Sequence, residues 1–128
     1  MLQVLISAIA GYAFGAVWYM VLAKKWVAAT EIEVDENGKP VDTSPLPFIV
    51  AFISALVVAG MMRHIFVMAG IDTVGKGLTT GLGLGLFVAA PWIVNNVMFG
   101  ERDKSLIWID GGYAAGGCAV IGLVLALF

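Results

Sequence analysis

Charged residues divide the chain into four long apolar runs. Residues 2–23 hold no charged side chain, and at about 1.5 Å per residue they make about 33 Å of helix, enough to cross a hydrocarbon layer of about 30 Å. Residues 46–70 are interrupted only by Arg63 and His64 and open beside Pro45 and Pro47, where a missing N–H costs a helix little. Residues 75–100 carry only Lys76, near their start, and residues 105–128 carry only Asp110. The runs are continuously apolar, without the alternation of a membrane barrel strand. In lipid a segment must satisfy its own backbone hydrogen bonds, which leaves helices. The connections between runs two and three and between runs three and four are short, so neighbours should be antiparallel. The pattern predicts an all-α membrane protein with one domain over residues 1–128. It is a four-transmembrane-helix antiparallel bundle with both termini on one side.

The one long connection, residues 24–45, is expected outside the membrane as a short hairpin or loop. Thr30 to Val34 alternates polar and apolar positions, Asn37-Gly38 suits the positive-φ pair of a type I′ turn, and Val41 to Thr43 can return. The acidic stretch Asp35-Glu36 lacks the periodic ligands and terminal glutamate of an EF-hand loop, so no calcium site is expected. The first run has no Lys or Arg before it and exceeds the 7–15 residues of a signal-peptide core, so it reads as a retained span. Pro91, midway along the third run, removes one backbone hydrogen bond and crowds the Phe87 carbonyl, which predicts a kink just before Asn95-Asn96.

Composition sharpens this picture by exclusion. With 61% hydrophobic and 12% charged residues among 128, the chain lacks the polar surface that covers a water-soluble globule. A net charge of −2 gives no basic field for nucleic acid. A single cysteine, Cys118, and a single histidine, His64, permit no disulfide and no multi-residue Cys or His metal site within one chain, and no cofactor is expected. The connections on one side hold Lys24, Lys25, Lys39, Arg102 and Lys104, against Arg63 and Lys76 on the other. That bias places both termini outside the cytoplasm.

Candidate chemistry gathers at one membrane face. Trp18, Trp26, Trp92 and Trp108 all fall toward the same side in an antiparallel arrangement, and Tyr19, Lys25, Asn95, Asn96, Arg102, Asp110 and Tyr113 share that depth. Two readings fit. One is an aromatic belt at the headgroups with snorkelling Lys and Arg. The other is a polar cluster in which Asp110, one turn inside its helix, meets Asn95, Asn96 or Tyr19, with Lys25 or Arg102 reaching in; an intramembrane carboxylate is costly without a partner. At the opposite face Arg63 is expected to snorkel outward, with Asp72 as a candidate partner. Small residues recur at four-residue spacing: Gly11 and Gly15, Ala55 and Ala59, Gly77, Gly81 and Gly85, and Gly112 and Gly116. Such faces let helix backbones approach closely. Some should serve the bundle, and the ridge on the third run is free to serve a second protomer.

Gly15-Ala16-Val17-Trp18-Tyr19 with Lys25-Trp26, a glycine-rich third run, and Ile109-Asp110-Gly111-Gly112-Tyr113 occur in an order that resembles the bacterial membrane proteins grouped as domain of unknown function 1761. That family shows a G-x-x-W-Y element ending in K-x-W or K-W and an I-D-x-G-[HY] element opening its last span. The resemblance covers nearly the whole chain and implies a four-helix protein of the bacterial inner membrane. It brings no activity or catalytic residue, and the acidic insert here looks longer than the family's first connection. The expected role is a non-enzymatic membrane protein that associates with itself or with a larger membrane complex, its other partner being the lipid bilayer. The alternative is a small oligomeric transporter or channel that handles an ion or solute through Asp110, Asn95 and Asn96. A membrane enzyme, with one His, one Cys and one intramembrane carboxylate, has least to stand on.

Overall fold

A computed structural model describes residues 1–128, and it is all helical. Helices α1 (Leu2–Val21) and α2 (Ala23–Thr30) are followed by α3 (Leu46–Ala69), α4 (Val74–Leu84), a π-helical turn (Gly85–Ala89), α5 (Ala90–Phe99) and α6 (Ser105–Leu125). Four stretches, Leu2–Val21, Leu46–Ala69, Val74–Phe99 and Ser105–Leu125, are long and apolar enough to cross a membrane. Local chemistry sets several ends. Pro45 and Pro47 stand at the start of α3. Gly70 ends it in the left-handed conformation (φ 65°), which lets the Ile71 N–H donate to the Phe66 carbonyl at 2.9 Å. The Thr73 hydroxyl caps α4 by accepting from the Lys76 N–H at 3.3 Å. Asp103 accepts from the Ser105 hydroxyl and amide ahead of α6, and these bonds hold its carboxyl below the ordinary value.

Helix α6 is the centre of the molecule. It contributes nine of the 22 buried residues and packs against α1, α2, α3, α4, the π turn and α5. One core joins Ala8, Ala55, Ala59, Met62, Phe66, Ile121 and Leu125 from α1, α3 and α6. A smaller one joins Ala29 of α2, Val97 of α5 and Leu106 of α6. Helix α3 packs on α1 and α6 and has no packed face with α4 or α5. A gap is left there, floored by α6.

Two kinds of glycine contact hold α6 in place. Toward α4 the contact is backbone on backbone. A Cβ at Gly77 would lie 2.5 Å from the Gly122 carbonyl oxygen, one at Gly85 would lie 2.5 Å from the Ala115 Cα, and one at Gly81 would fall on the Cys118 carbonyl. Toward α1, rings and branched chains sit over missing side chains. Trp18 lies over Gly112, Phe14 over Gly116, Tyr113 over Gly15 and Ile121 over Gly11, with a built Cβ at Gly112, Gly15 or Gly11 meeting its partner at 2.6 Å. The glycine ridge of Gly77, Gly81 and Gly85 is therefore occupied by α6 of the same chain. A second protomer would have to use other surface.

Three sequence expectations change. Residues 24–45 are not simply a hairpin or loop, because α2 occupies their start. Ala23, Ala28, Ala29 and two lysines favour helix, Thr30 Oγ1 bonds back to the Trp26 carbonyl at 2.9 Å, and Trp26 and Ala29 pack on the second core. The hairpin is reduced to one antiparallel bridge between Val34 and Pro40. Proline has no N–H with which to extend a ladder, and its turn is not type I′. The Gly38 N–H donates to the Asp35 carbonyl at 3.0 Å, Gly38 alone among residues 35–39 has positive φ (75°), and the Asp35 N–H donates to the Lys39 carbonyl at 2.7 Å. That is a three-residue loop with Gly38 in the bulge position. The effect expected of Pro91 takes the form of the π turn. Ala90 N–H donates to Gly85, five residues back, and Pro91 falls in the first turn of α5, where its missing N–H is tolerated.

Gly81→Leu should cost roughly 1–3 kcal/mol or more, because the new side chain meets backbone that cannot yield. Gly83, beside open space, should accept alanine with a gain of about 0.5–1 kcal/mol from helix propensity. Thermal unfolding of the two variants in detergent checks the contrast; equal midpoints would mean that the α4–α6 contact is absent.

Candidate functional site

The α1–α6 interface brings four of the sequence-predicted residues together. Trp18 and Tyr19 are adjacent in the last turns of α1, so they point about 100° apart, and each finds a different partner on α6. Trp18 Nε1 donates to the Ile109 carbonyl at 2.8 Å. The indole reaches that carbonyl because Gly112 has no side chain in its path. Tyr19 OH donates to Asp110 Oδ1 at 2.7 Å. Tyr113, one turn further along α6, meets Tyr19 edge-on with ring centroids 5.3 Å apart, and Trp26 meets Tyr19 edge-on from α2 at 6.1 Å. Edge-to-face packing of this kind orients the Tyr19 ring and so aims its hydroxyl.

The remaining candidates lie elsewhere. Asn95 and Asn96 are exposed on α5, and their neighbour Val97 faces the core. Lys25 and Arg102 are exposed, and neither forms an ion pair with Asp110. The chain's ion pair is Lys76–Asp72, at 2.8 Å on the surface. Lys76 holds the Asp72 carboxyl below its ordinary value and takes the carboxylate expected for Arg63. The Arg63 guanidinium instead faces the side-chain amide of Gln3 on α1, whose oxygen accepts from it when the amide is turned over. Trp92 and Trp108 point outward, as belt residues do, so the aromatic set divides into an inward half around Asp110 and an outward half.

A cleft of about 350 Å³ runs beside Asp110, in the gap between α3 and the third apolar stretch. Tyr19, Asp110 and Tyr113 form one end with Ile93 of α5, and Ile121 lies at the far end with Val58 of α3. Its surface is almost wholly apolar; Tyr19, Ser54, Asp110, Tyr113 and Cys118 are the lining residues with polar side-chain atoms, and the Ser54 hydroxyl is committed to the Val50 carbonyl at 2.9 Å. Sequence reasoning missed Phe14, which stacks on both Trp18 and Tyr113, and Gly122, against which Gly77 packs. The signal for Phe14 was present, since it stands four residues before Trp18 on the same helix face. For Gly122 the signal was the small-residue file Ala115, Ala119, Gly122 and Ala126. No group of three or more His, Cys, Asp or Glu side chains lies close enough to hold a metal ion.

The model of a family described as Protein of unknown function (DUF1761) matches residues 2–126. No curated protein and no solved structure matches the chain.

Tyr19→Phe should cost about 1 kcal/mol, the ordinary worth of one hydrogen bond. Asp110→Asn, which keeps an acceptor for the Tyr19 hydroxyl, should be tolerated better than Asp110→Leu, which strands that hydroxyl at about 1–3 kcal/mol. Unfolding midpoints in detergent for the three variants give the order; a leucine variant as stable as the parent would show that the Tyr19–Asp110 bond contributes nothing.

Proposed function

The chain belongs to the DUF1761 family of proteins of unknown function, and since that membership carries no activity, we propose a role from its geometry: a multi-pass protein of the bacterial inner membrane. It is a non-enzymatic component that associates with itself or with a larger membrane complex. One observation carries the reading. Only 22 of 128 residues are buried, while Val17, Met20, Phe48, Ile53, Val57, Phe87 and Phe99 stand exposed on the helices that are long enough to span. A molecule in water does not leave so much apolar surface uncovered, whereas in lipid that surface is the solvent-facing side.

An antiparallel arrangement of the four spans is supported by the order of contacts. Gly77, Gly81 and Gly85 pair with Gly122, Cys118 and Ala115 in descending order, and Gly11 and Gly15 pair with Ile121 and Tyr113 likewise. Both termini then share one side, and the excess of Lys and Arg near the other ends of the spans supports a location of the termini outside the cytoplasm. Self-association is supported by the outer faces that this chain leaves open, including Gly60 of α3 and Gly83 of α4, neither of which has a neighbour within 4 Å of a built Cβ. The thin chemistry of the spans, which hold one His, one Cys and one internal carboxylate, supports the non-catalytic reading. A second reading, a small transporter or channel, is favoured by the cleft beside Asp110. Asn95 and Asn96 would have no part in it.

The protein should stay in the membrane pellet through alkaline carbonate washing. On a Cys118→Ala background, a cysteine placed at Asn37 should resist an impermeant thiol reagent in intact cells and react after lysis. Labelling in intact cells would reverse the orientation, and release by carbonate would refute the spanning reading. Light scattering of the detergent-solubilised chain should give a mass at least twice the 13.5 kDa of the monomer.

A further inference from the structure

The cleft beside Asp110 has a shape and a charge that point to its occupant. From Asp110 to Ile121 it follows α6 for about 16 Å at about 1.5 Å per residue. Its walls come from helices that do not pack against one another, α3 on one side and the π turn with α5 on the other, so it opens sideways, toward whatever surrounds the bundle. On the reading that the four helices span a bilayer, that opening faces lipid. A guest entering there is lipophilic, because it leaves a hydrocarbon phase for walls made of Val58, Ile93 and Ile121.

The charge is asymmetric. Asp110 sits at one end with Tyr19 as its one side-chain hydrogen-bond partner, through Oδ1, and with no Lys, Arg or His within ion-pair distance. A carboxylate at the edge of an apolar cavity attracts a cation more strongly than it would in water, since the intervening medium screens less. Two tyrosine rings, Tyr19 and Tyr113, flank the same end, and the π face of an aromatic ring attracts a positive charge. We infer that the cleft binds a lipophilic organic cation, with the cationic head at Asp110 between Tyr19 and Tyr113 and the apolar body along α6 toward Ile121.

This inference rests on the spanning reading, and its test is arranged so that the two fail separately. Protein recovered from washed membranes is placed in nanodiscs of phosphatidylcholine, which has no net charge. Tetraphenylphosphonium is then titrated against tetraphenylborate, an ion of nearly the same shape and opposite charge. Saturable binding of tetraphenylphosphonium at one per chain, above that of empty discs, is expected, with tetraphenylborate at least tenfold weaker. Asp110→Asn should weaken tetraphenylphosphonium binding at least tenfold. Val58→Phe narrows the cleft from the opposite wall without touching Asp110, on a side chain already 37% exposed, and it should weaken binding by a similar factor. Should Asp110→Asn not be recovered folded, Val58→Phe decides alone. Equal affinity for the two ions, unchanged affinity in either variant, or no binding above empty discs overturns the proposal with the spanning reading intact. Failure to recover the chain from washed membranes overturns both.

Discussion

The close approach of α4 to α6 is the constraint on which the rest of the structure depends. Without an apolar driving force between helices in lipid, association relies on van der Waals contact and on hydrogen bonds between spans, and both demand that backbones come near. Here Gly77, Gly81 and Gly85 meet Gly122, Cys118 and Ala115 with no side chain between. Helix α6 can then offer its other face to α1, where Gly112 and Gly116 receive Trp18 and Phe14. The aromatic seating brings Trp18 Nε1 to the Ile109 carbonyl and Tyr19 OH to Asp110. A bulky residue at the α4 contact would displace α6 and, with it, every one of these distances.

Much of the fold was legible because apolar run length is a direct physical requirement. The ends of the four long stretches lie within a few residues of where the charges place them, and the four-residue spacing of glycines marked positions that do lie at helix contacts. What hydropathy cannot supply is azimuth. Asn95 and Asn96 share their depth with Asp110, yet they turn outward because Val97 takes the inward position against Leu106. Lys25 and Arg102 likewise stay in the open. Helix α2 was hidden for another reason: the alternation from Thr30 to Val34 and the Asn37-Gly38 pair are strong local signals for strand and turn, whereas the helix just before them is only eight residues long.

The candidate site shows the same division. Trp18, Tyr19, Asp110 and Tyr113 come together because each lies on the α1–α6 seam, where the glycines hold the helices at a fixed distance. The cleft was not legible at all. It exists because α3 stays on α1 and α6 and does not close onto the third stretch, a fact about what fails to pack, which no residue pattern records.

The π turn at Gly85–Ala89 has one more effect, on the phase of the third stretch. A stripe repeated every four residues on a helix with 3.6 residues per turn drifts by about 40° at each step, so the file Gly77, Gly81, Gly85 is already rotating off α6 when it reaches the turn. A π turn accommodates one surplus residue, which sets the phase back by nearly the angle of one residue. Counted along an uninterrupted α-helix, the azimuth that Val97 holds would have gone to Asn96. The surplus residue thus keeps the four-residue file running through Ile93 to Val97 and turns the amides away from the core. A wide turn in mid-helix decides whether the far end of this stretch meets α6 with a hydrocarbon side chain or a polar one.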